Sequence, residues 1–232
     1  MTQSIPHADT RWPQVVIFDL DGTLIDSAPD IAAAVNAALT DHGIVIDAAA
    51  ARRFVGDGAR KLIERVLDAH DVAATRTEID ALTAAFTACY QDRPCQHSVV
   101  FDGAVLALAR LRADGRRLAV CTNKPQRIAE HVIAHLGLDH YIDVVIGAGV
   151  HPLKPDPAPL RACLAALACD ADAALYVGDM GVDREAGHAA GLPVLLAAFG
   201  YASAPVAELG ADGVLTHWHE MPGAIAALRR SA

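Results

Sequence analysis

Asp19 and Asp21 stand two positions apart at the end of an apolar run, followed by Gly22 and Thr23 and then by Asp26. Two carboxylates this close repel each other unless a cation or a shared proton relieves them. Three further stretches carry complementary chemistry: Thr122-Asn123, Lys154-Pro155, and Gly178-Asp179 with Asp183 four residues on. Three carboxylates around a compact cation suggest Mg2+, which is hard, takes oxygen ligands and keeps waters. A metal, an ammonium group and a hydroxyl together neutralise the oxygens of a phosphoryl group. A carboxylate beside them can act as a nucleophile and form an acyl phosphate.

These groups act together only if the fold gathers them. Val15-Val16-Ile17-Phe18 is a short continuous apolar run, the pattern of a strand buried on both faces. Asp19 and Asp21 then fall at its carboxyl end, where open α/β sheets bind ligands. From Gly103 onward helices and strands alternate. Strands are expected over 117–121, 143–146, 173–177, 193–197 and 213–215. Helices are expected over 103–114, 125–136, about 154–169, 183–190 and 220–230. That alternation means right-handed βαβ units and a parallel sheet. The hydroxyl, the ammonium and the later carboxylates follow successive strands, so they share one edge. Between Asp26 and Pro94 the pattern is helical throughout, with helices expected over 28–42, 48–54, 58–70 and 75–92. The expected fold is an α/β, doubly wound parallel sheet formed by residues 1–25 and 97–232, with an all-helical domain inserted at 26–96.

Composition narrows the function. At 232 residues with 53% hydrophobic residues, the chain can bury a sizeable core. Its formal net charge of -9 gives no attraction to a nucleic-acid backbone, so a small-molecule partner is expected instead. Cys89, Cys95, Cys121, Cys163 and Cys169 are odd in number and form no CxxC pair, which fits reduced thiols in the cytoplasm. Residues 1–13 carry no apolar segment of a signal peptide, and no apolar run is long enough to span a bilayer. His217 and His219 have metal-like spacing without an acidic partner series and read as a surface pair.

The four stretches, in their order and spacing, resemble the haloacid dehalogenase superfamily of phosphatases over nearly the whole chain from Val15. The resemblance implies a Rossmann-like core with the helical segment as a cap. It implies that Asp19 is the nucleophile and Asp21 the acid, then base. Thr122 and Lys154 would hold the phosphoryl oxygens. Mg2+ would be bound by the Asp19 carboxylate, the Asp21 carbonyl and Asp179, with Asp183 in support. Asp21 also argues against dehalogenation, which has no leaving alkoxide to protonate.

Within the superfamily the chain is similar to the phosphoglycolate phosphatases, on Val55-Gly56-Asp57-Gly58, Phe101-Asp102-Gly103 and Thr122-Asn123-Lys124-Pro125. Asp102 stands where Pro is usual and Met180 where Ser is usual. This likeness implies a small phosphate ester as substrate, touched by Thr23, Gly56, Gly58, Arg60 and Asn123. Arg60 is the candidate for a substrate carboxylate, because its fork pairs with such groups. Lys124 is expected to be a surface cation at a helix start with a minor role. A monomer or homodimer is expected. Phosphatases of sugar phosphates, amino-sugar phosphates or pyrophosphate remain open. So do a phosphosugar mutase, a phosphonatase and a signalling module phosphorylated on Asp19; a large inserted cap counts against the last.

Overall fold

The structure is a computed structural model and describes residues 12–231. The expectation about a signal peptide therefore falls almost wholly outside the described residues. The strands are β1 (Val15–Phe18), β2 (Ile25–Asp26), β3 (Val99–Val100), β4 (Arg117–Pro125), β5 (Val144–Ala148), β6 (Ala174–Gly178), β7 (Val194–Ala197) and β8 (Gly213–Leu215). Six of them form one sheet in the order β5-β4-β1-β6-β7-β8, parallel at every pairing.

β1 is central and fully buried because both faces of the sheet are covered. Its side chains alternate, Val16 and Phe18 to one side, Val15 and Ile17 to the other. The helices after the inserted block are α5 (Ala104–Ala113), α6 (Gln126–His135), α7 (Ala158–Ala166), α8 (Gly181–Ala190) and α9 (Met221–Ser231); the numbers α1 to α4 belong to the block itself. Leu108 of α5, Ile128 of α6 and Ile225 of α9 pack on the Val16–Phe18 side. Leu160 of α7 and Ala186 of α8 pack on the Val15–Ile17 side. Burying a Leu or Ile side chain of this kind contributes about 1.5–3 kcal/mol.

The inserted block comprises α1 (Ala28–Ala38), α2 (Ala48–Phe54), α3 (Ala59–Ala69) and α4 (Arg76–Asp92). Local chemistry sets their starts. Pro29 occupies the first turn of α1. The Asp47 carboxylate accepts the Ala50 N–H at 2.7 Å to open α2. Thr75 and Glu78 form a reciprocal capping box on α4. Caps of this kind each contribute about 1 kcal/mol. Ile31, Val35, Leu62, Val66 and Phe86 are buried between the four helices.

Four differences from the sequence reading have physical causes. β2 and β3, which pair antiparallel where the chain leaves and rejoins the sheet, are two residues each and too short for any periodicity. α1 stops at Ala38 and passes through a tighter turn, Thr40–His42, before Gly43 reverses the chain at φ +65°. β4 continues past Cys121 to Pro125, with its pairing to β5 shifted between those residues. α7 starts only at Ala158, after a segment with prolines at 155 and 157, which cannot donate the N–H groups a helix interior needs.

Candidate active site

Phe18 ends β1 and pairs with Val177, next to the end of β6, and with Val120 of β4, so the residues that follow on the three strands lie side by side. Asp19 follows directly, its N–H bonded to the Val177 carbonyl at 2.8 Å. A tight turn after it brings the Leu24 and Ile25 N–H groups onto the Leu20 carbonyl at 3.0 and 3.1 Å. Gly22 sits in this turn at φ +85°, and a Cβ there would lie 2.3 Å from Asp179 Oδ2. Only glycine allows both the backbone angle and the close approach.

Lys154 reaches this edge from the β5–α7 connection. Its ammonium lies 2.9 Å from Asp19 Oδ1 and donates to Asp183 Oδ1 at 2.7 Å, the Tyr176 hydroxyl at 2.9 Å and the Cys121 carbonyl at 3.2 Å. Burial works against its charge, but Asp183 and Asp19 hold its proton more firmly than a free lysine does. Asp183 Oδ1 also accepts the Tyr176 hydroxyl, and Oδ2 accepts the N–H groups of Asp179 and Met180. Burial alone would raise its pKa; Lys154 and these donors bring it below the usual value. Asp183 is thus a fixed counter-charge that aims Lys154.

One carboxylate oxygen from each of Asp19, Asp179 and Asp183 lies within 4.8 Å of the other two. Asp179 is fully buried, held by the Thr23 hydroxyl at 2.9 Å on Oδ1 and the Tyr201 N–H at 2.7 Å on Oδ2. Burial, with Asp183 and Asp19 nearby, pushes its pKa well up. Asp19 is pushed up to about 6, chiefly by burial, with Lys154 opposing and Asp183 and Asp21 adding. Asp19 Oδ1 is buried and receives no hydrogen bond, although Lys154 lies near it. Asp19, Asp21, Asp179 and Asp183 face two ammonium groups, Lys124 and Lys154. Two negative charges are left over when all are ionised, and the donors are all oxygens. The residues therefore fit a hard divalent cation.

Asp19, Asp21, Thr122, Asn123 and Lys124 form the floor of a cavity whose other walls include Val55, Gly56, Gly58, Leu62, Phe86 and Tyr90. Gly56 and Gly58 close it from the helical block. A Cβ on Gly56 would meet Met180 Sδ at 2.5 Å, and one on Gly58 would meet Leu153 Cδ1 at 2.6 Å. Met180 thus packs its thioether under the Gly56 loop.

Other expected substrate contacts are placed differently. Thr23 has no exposed surface and spends its hydroxyl on Asp179. Asn123 lines the cavity, but its amide is engaged: Nδ2 donates to the carbonyls of Gly56 at 2.9 Å and Lys154 at 3.0 Å, and Oδ1 accepts the Lys154 N–H at 2.8 Å. Arg60 is not among the lining residues; its guanidinium pairs with Glu64 at 3.0 Å and with Asp80. Asp102 is exposed, and the exposed rings of His217 and His219 pack together.

The reading of Lys124 as a surface cation is corrected. The extension of β4 carries it inward, where it is 5% exposed and its ammonium donates to Asp21 Oδ1 at 2.7 Å and the Tyr90 hydroxyl at 2.5 Å. The Ser27 hydroxyl also donates to Asp21 Oδ1. Tyr201, Gly200 and Tyr90 carry no signal in the sequence, because no local spacing links them to the acidic pair.

The family described as haloacid dehalogenase-like hydrolase matches residues 16–197 of the chain. A phosphoglycolate phosphatase of Rhodospirillum rubrum is 44% identical over 208 residues, 87% of this chain and 86% of the relative. A plasmid phosphoglycolate phosphatase of Cupriavidus necator is 39% identical over 217 residues, 92% of this chain and 94% of the relative. Among solved structures, a predicted phosphoglycolate phosphatase from Haemophilus somnus superposes with a TM-score of 0.81 at 27% identity, covering 90% of this chain and 96% of its own.

Proposed function

The chain belongs to the haloacid dehalogenase-like hydrolase family, and we propose that it is a phosphatase whose substrate is 2-phosphoglycolate, cleaved to glycolate and phosphate. The observation that carries the reading is the meeting of Asp19, Asp21 and Thr122 on one cavity floor, with the Lys154 ammonium 2.9 Å from Asp19.

Asp19 is the nucleophile. Its carboxylate attacks phosphorus, and the bond from phosphorus to the ester oxygen breaks. Asp21 supplies the proton to that oxygen. Its Oδ1 is held by Lys124 and Ser27, while Oδ2 has no donor among the described residues and is left to carry the proton. The resulting acyl phosphate on Asp19 is cleaved when water attacks phosphorus and gives its proton to Asp21, which restores the acid. The Thr122 hydroxyl, and Lys154 on giving up its long contact to the Cys121 carbonyl, hold the phosphoryl oxygens through this exchange. Mg2+ would be held by the Asp19 and Asp179 carboxylates and the Asp21 carbonyl, with Asp183 positioning Lys154 beside it. When bound it supplies positive charge to the phosphoryl oxygens and relieves the repulsion between the carboxylates.

Residues 26–96 act as a cap and the remainder as the catalytic core. The Gly56–Gly58 loop shuts over the core and excludes bulk water. Among the described residues no helix is long and apolar enough to cross a membrane. The free cysteines fit work in the cytoplasm, as a monomer or homodimer.

The test is phosphate release from 2-phosphoglycolate, sugar phosphates, amino-sugar phosphates and pyrophosphate, with and without Mg2+. A strong Mg2+-dependent preference for 2-phosphoglycolate is expected. Broad weak release would remove the substrate from this reading, and no release from any ester would remove the phosphatase.

A further inference from the structure

Lys124 stands where a substrate's leaving group must lie. Its ammonium is 2.7 Å from Asp21 Oδ1, and Asp21 is the group that protonates the leaving oxygen. In 2-phosphoglycolate a single carbon separates that oxygen from the carboxylate, so the carboxylate falls beside Asp21 as well. The surrounding walls are apolar, with Ile31, Val55, Leu62 and Phe86 facing the same cavity. A carboxylate enters such surroundings only against a cation. Among the described lining residues Lys124 supplies the one ammonium or guanidinium group.

The Lys124 head group also has capacity left. An ammonium group carries three N–H donors. One goes to Asp21 Oδ1 and one to the Tyr90 hydroxyl, and among the described residues no acceptor takes the third. Tyr90 belongs to α4 of the helical block and Lys124 to β4 of the sheet, so the ammonium is held from both sides of the cavity. Arg60, the residue expected to read a carboxylate, is committed to Glu64 and Asp80 outside the cavity.

We propose that Lys124, steadied by Tyr90, binds the carboxylate of the substrate's leaving group and so selects 2-phosphoglycolate over phosphate esters with an uncharged leaving group. This rests on the phosphoglycolate reading above. Lys124 thereby ties chemistry to recognition, because the cation that holds the carboxylate also touches the acid that completes the reaction.

The experiment compares kcat/KM for 2-phosphoglycolate and for its isostere 2-phosphoglycolamide, in which a neutral amide replaces the carboxylate and whose alkoxide leaves in the same way. Matching the leaving groups separates recognition of the carboxylate from any effect of Lys124 on Asp21. Wild type should prefer the acid, and Lys124→Gln should lower the ratio of acid to amide by about 30-fold or more, the scale of a lost charged hydrogen bond. Equal losses on both substrates would overturn the assignment, because Lys124 would then serve Asp21 alone. If Lys124→Gln does not fold, Lys124→Arg keeps a cation beside Asp21; it should retain a preference for the acid, and a ratio near unity would overturn the assignment. A wild type that hydrolyses other esters but shows no preference for the acid overturns the substrate reading and this one together. A wild type that prefers the acid, with a variant whose ratio is unchanged, overturns only the role of Lys124.

Discussion

Asn123 donates its side-chain amide to the carbonyl of Gly56 at 2.9 Å, joining the end of β4 to the loop that closes the cavity. The same amide donates to the Lys154 carbonyl and accepts the Lys154 N–H. One side chain therefore sets the position of Lys154 and of the Gly56 loop. Such double duty ties the Gly56 loop to the geometry of the sheet edge.

Asn123→Ala removes all three hydrogen bonds. We expect kcat/KM to fall by about 10- to 100-fold while the fold persists, since each lost bond contributes only about 0.5–1.5 kcal/mol. Hydrogen exchange should accelerate at residues 55–58 and 153–155. Unchanged exchange there would show that the loop is held by Met180 and Leu153 without Asn123.

Asp19→Asn and Asp21→Asn should each abolish turnover, measured as phosphate release. For Asp19 a stability effect of opposite sign is expected. Its folded-state pKa is raised from 3.8 to about 6, so ionising it costs the folded protein stability as the pH rises through that interval. Without metal, Asp19→Asn should melt at a higher temperature than wild type at pH 8, and the difference should shrink toward pH 4. Adding Mg2+ should raise the melting temperature of wild type more than that of the variant. A variant that melts lower at pH 8 would show that the Lys154 pair outweighs the crowding of carboxylates.

Gly200 is packed against Asp179 and the Gly22 turn. A Cβ there would lie 2.3 Å from Asp179 Cβ and 2.6 Å from the Gly22 carbonyl oxygen. Gly200→Ala must displace Asp179, and we expect the Mg2+ concentration for half-maximal activity to rise at least about tenfold, with a loss of about 1–3 kcal/mol in stability from overpacking. Titration of activity with Mg2+ checks the first effect and urea unfolding the second.

Arg60→Ala should leave kcat/KM for 2-phosphoglycolate within about twofold, because exposed ion pairs such as those to Glu64 and Asp80 contribute little. A loss beyond about tenfold, measured by steady-state kinetics, would place Arg60 back at the substrate.

Much of the site is legible in the chain because its chemistry sits directly after strands. Asp19 follows β1 and Asp179 follows β6, and a parallel sheet aligns such ends whatever the connections do. The capping box of α4 and the proline in α1 are equally local, so the helical block could be read from its own residues. What stayed hidden depends on contacts between distant positions. Lys124 reads as a surface cation by its place before a helix. It is buried only because β4 runs on to Pro125 and because α4 brings Tyr90 across 34 residues of chain. Tyr201 reaches Asp179 from 22 residues away and Asn123 reaches Gly56 from 67. Arg60 looks free to read a carboxylate until the packing of α3 against α4 sets it beside Asp80. Sequence spacing thus decides which groups stand at the sheet edge, because strand ends are a local property. Packing alone decides which of those groups are buried, paired or turned toward the cavity, because burial depends on neighbours that no local pattern encodes.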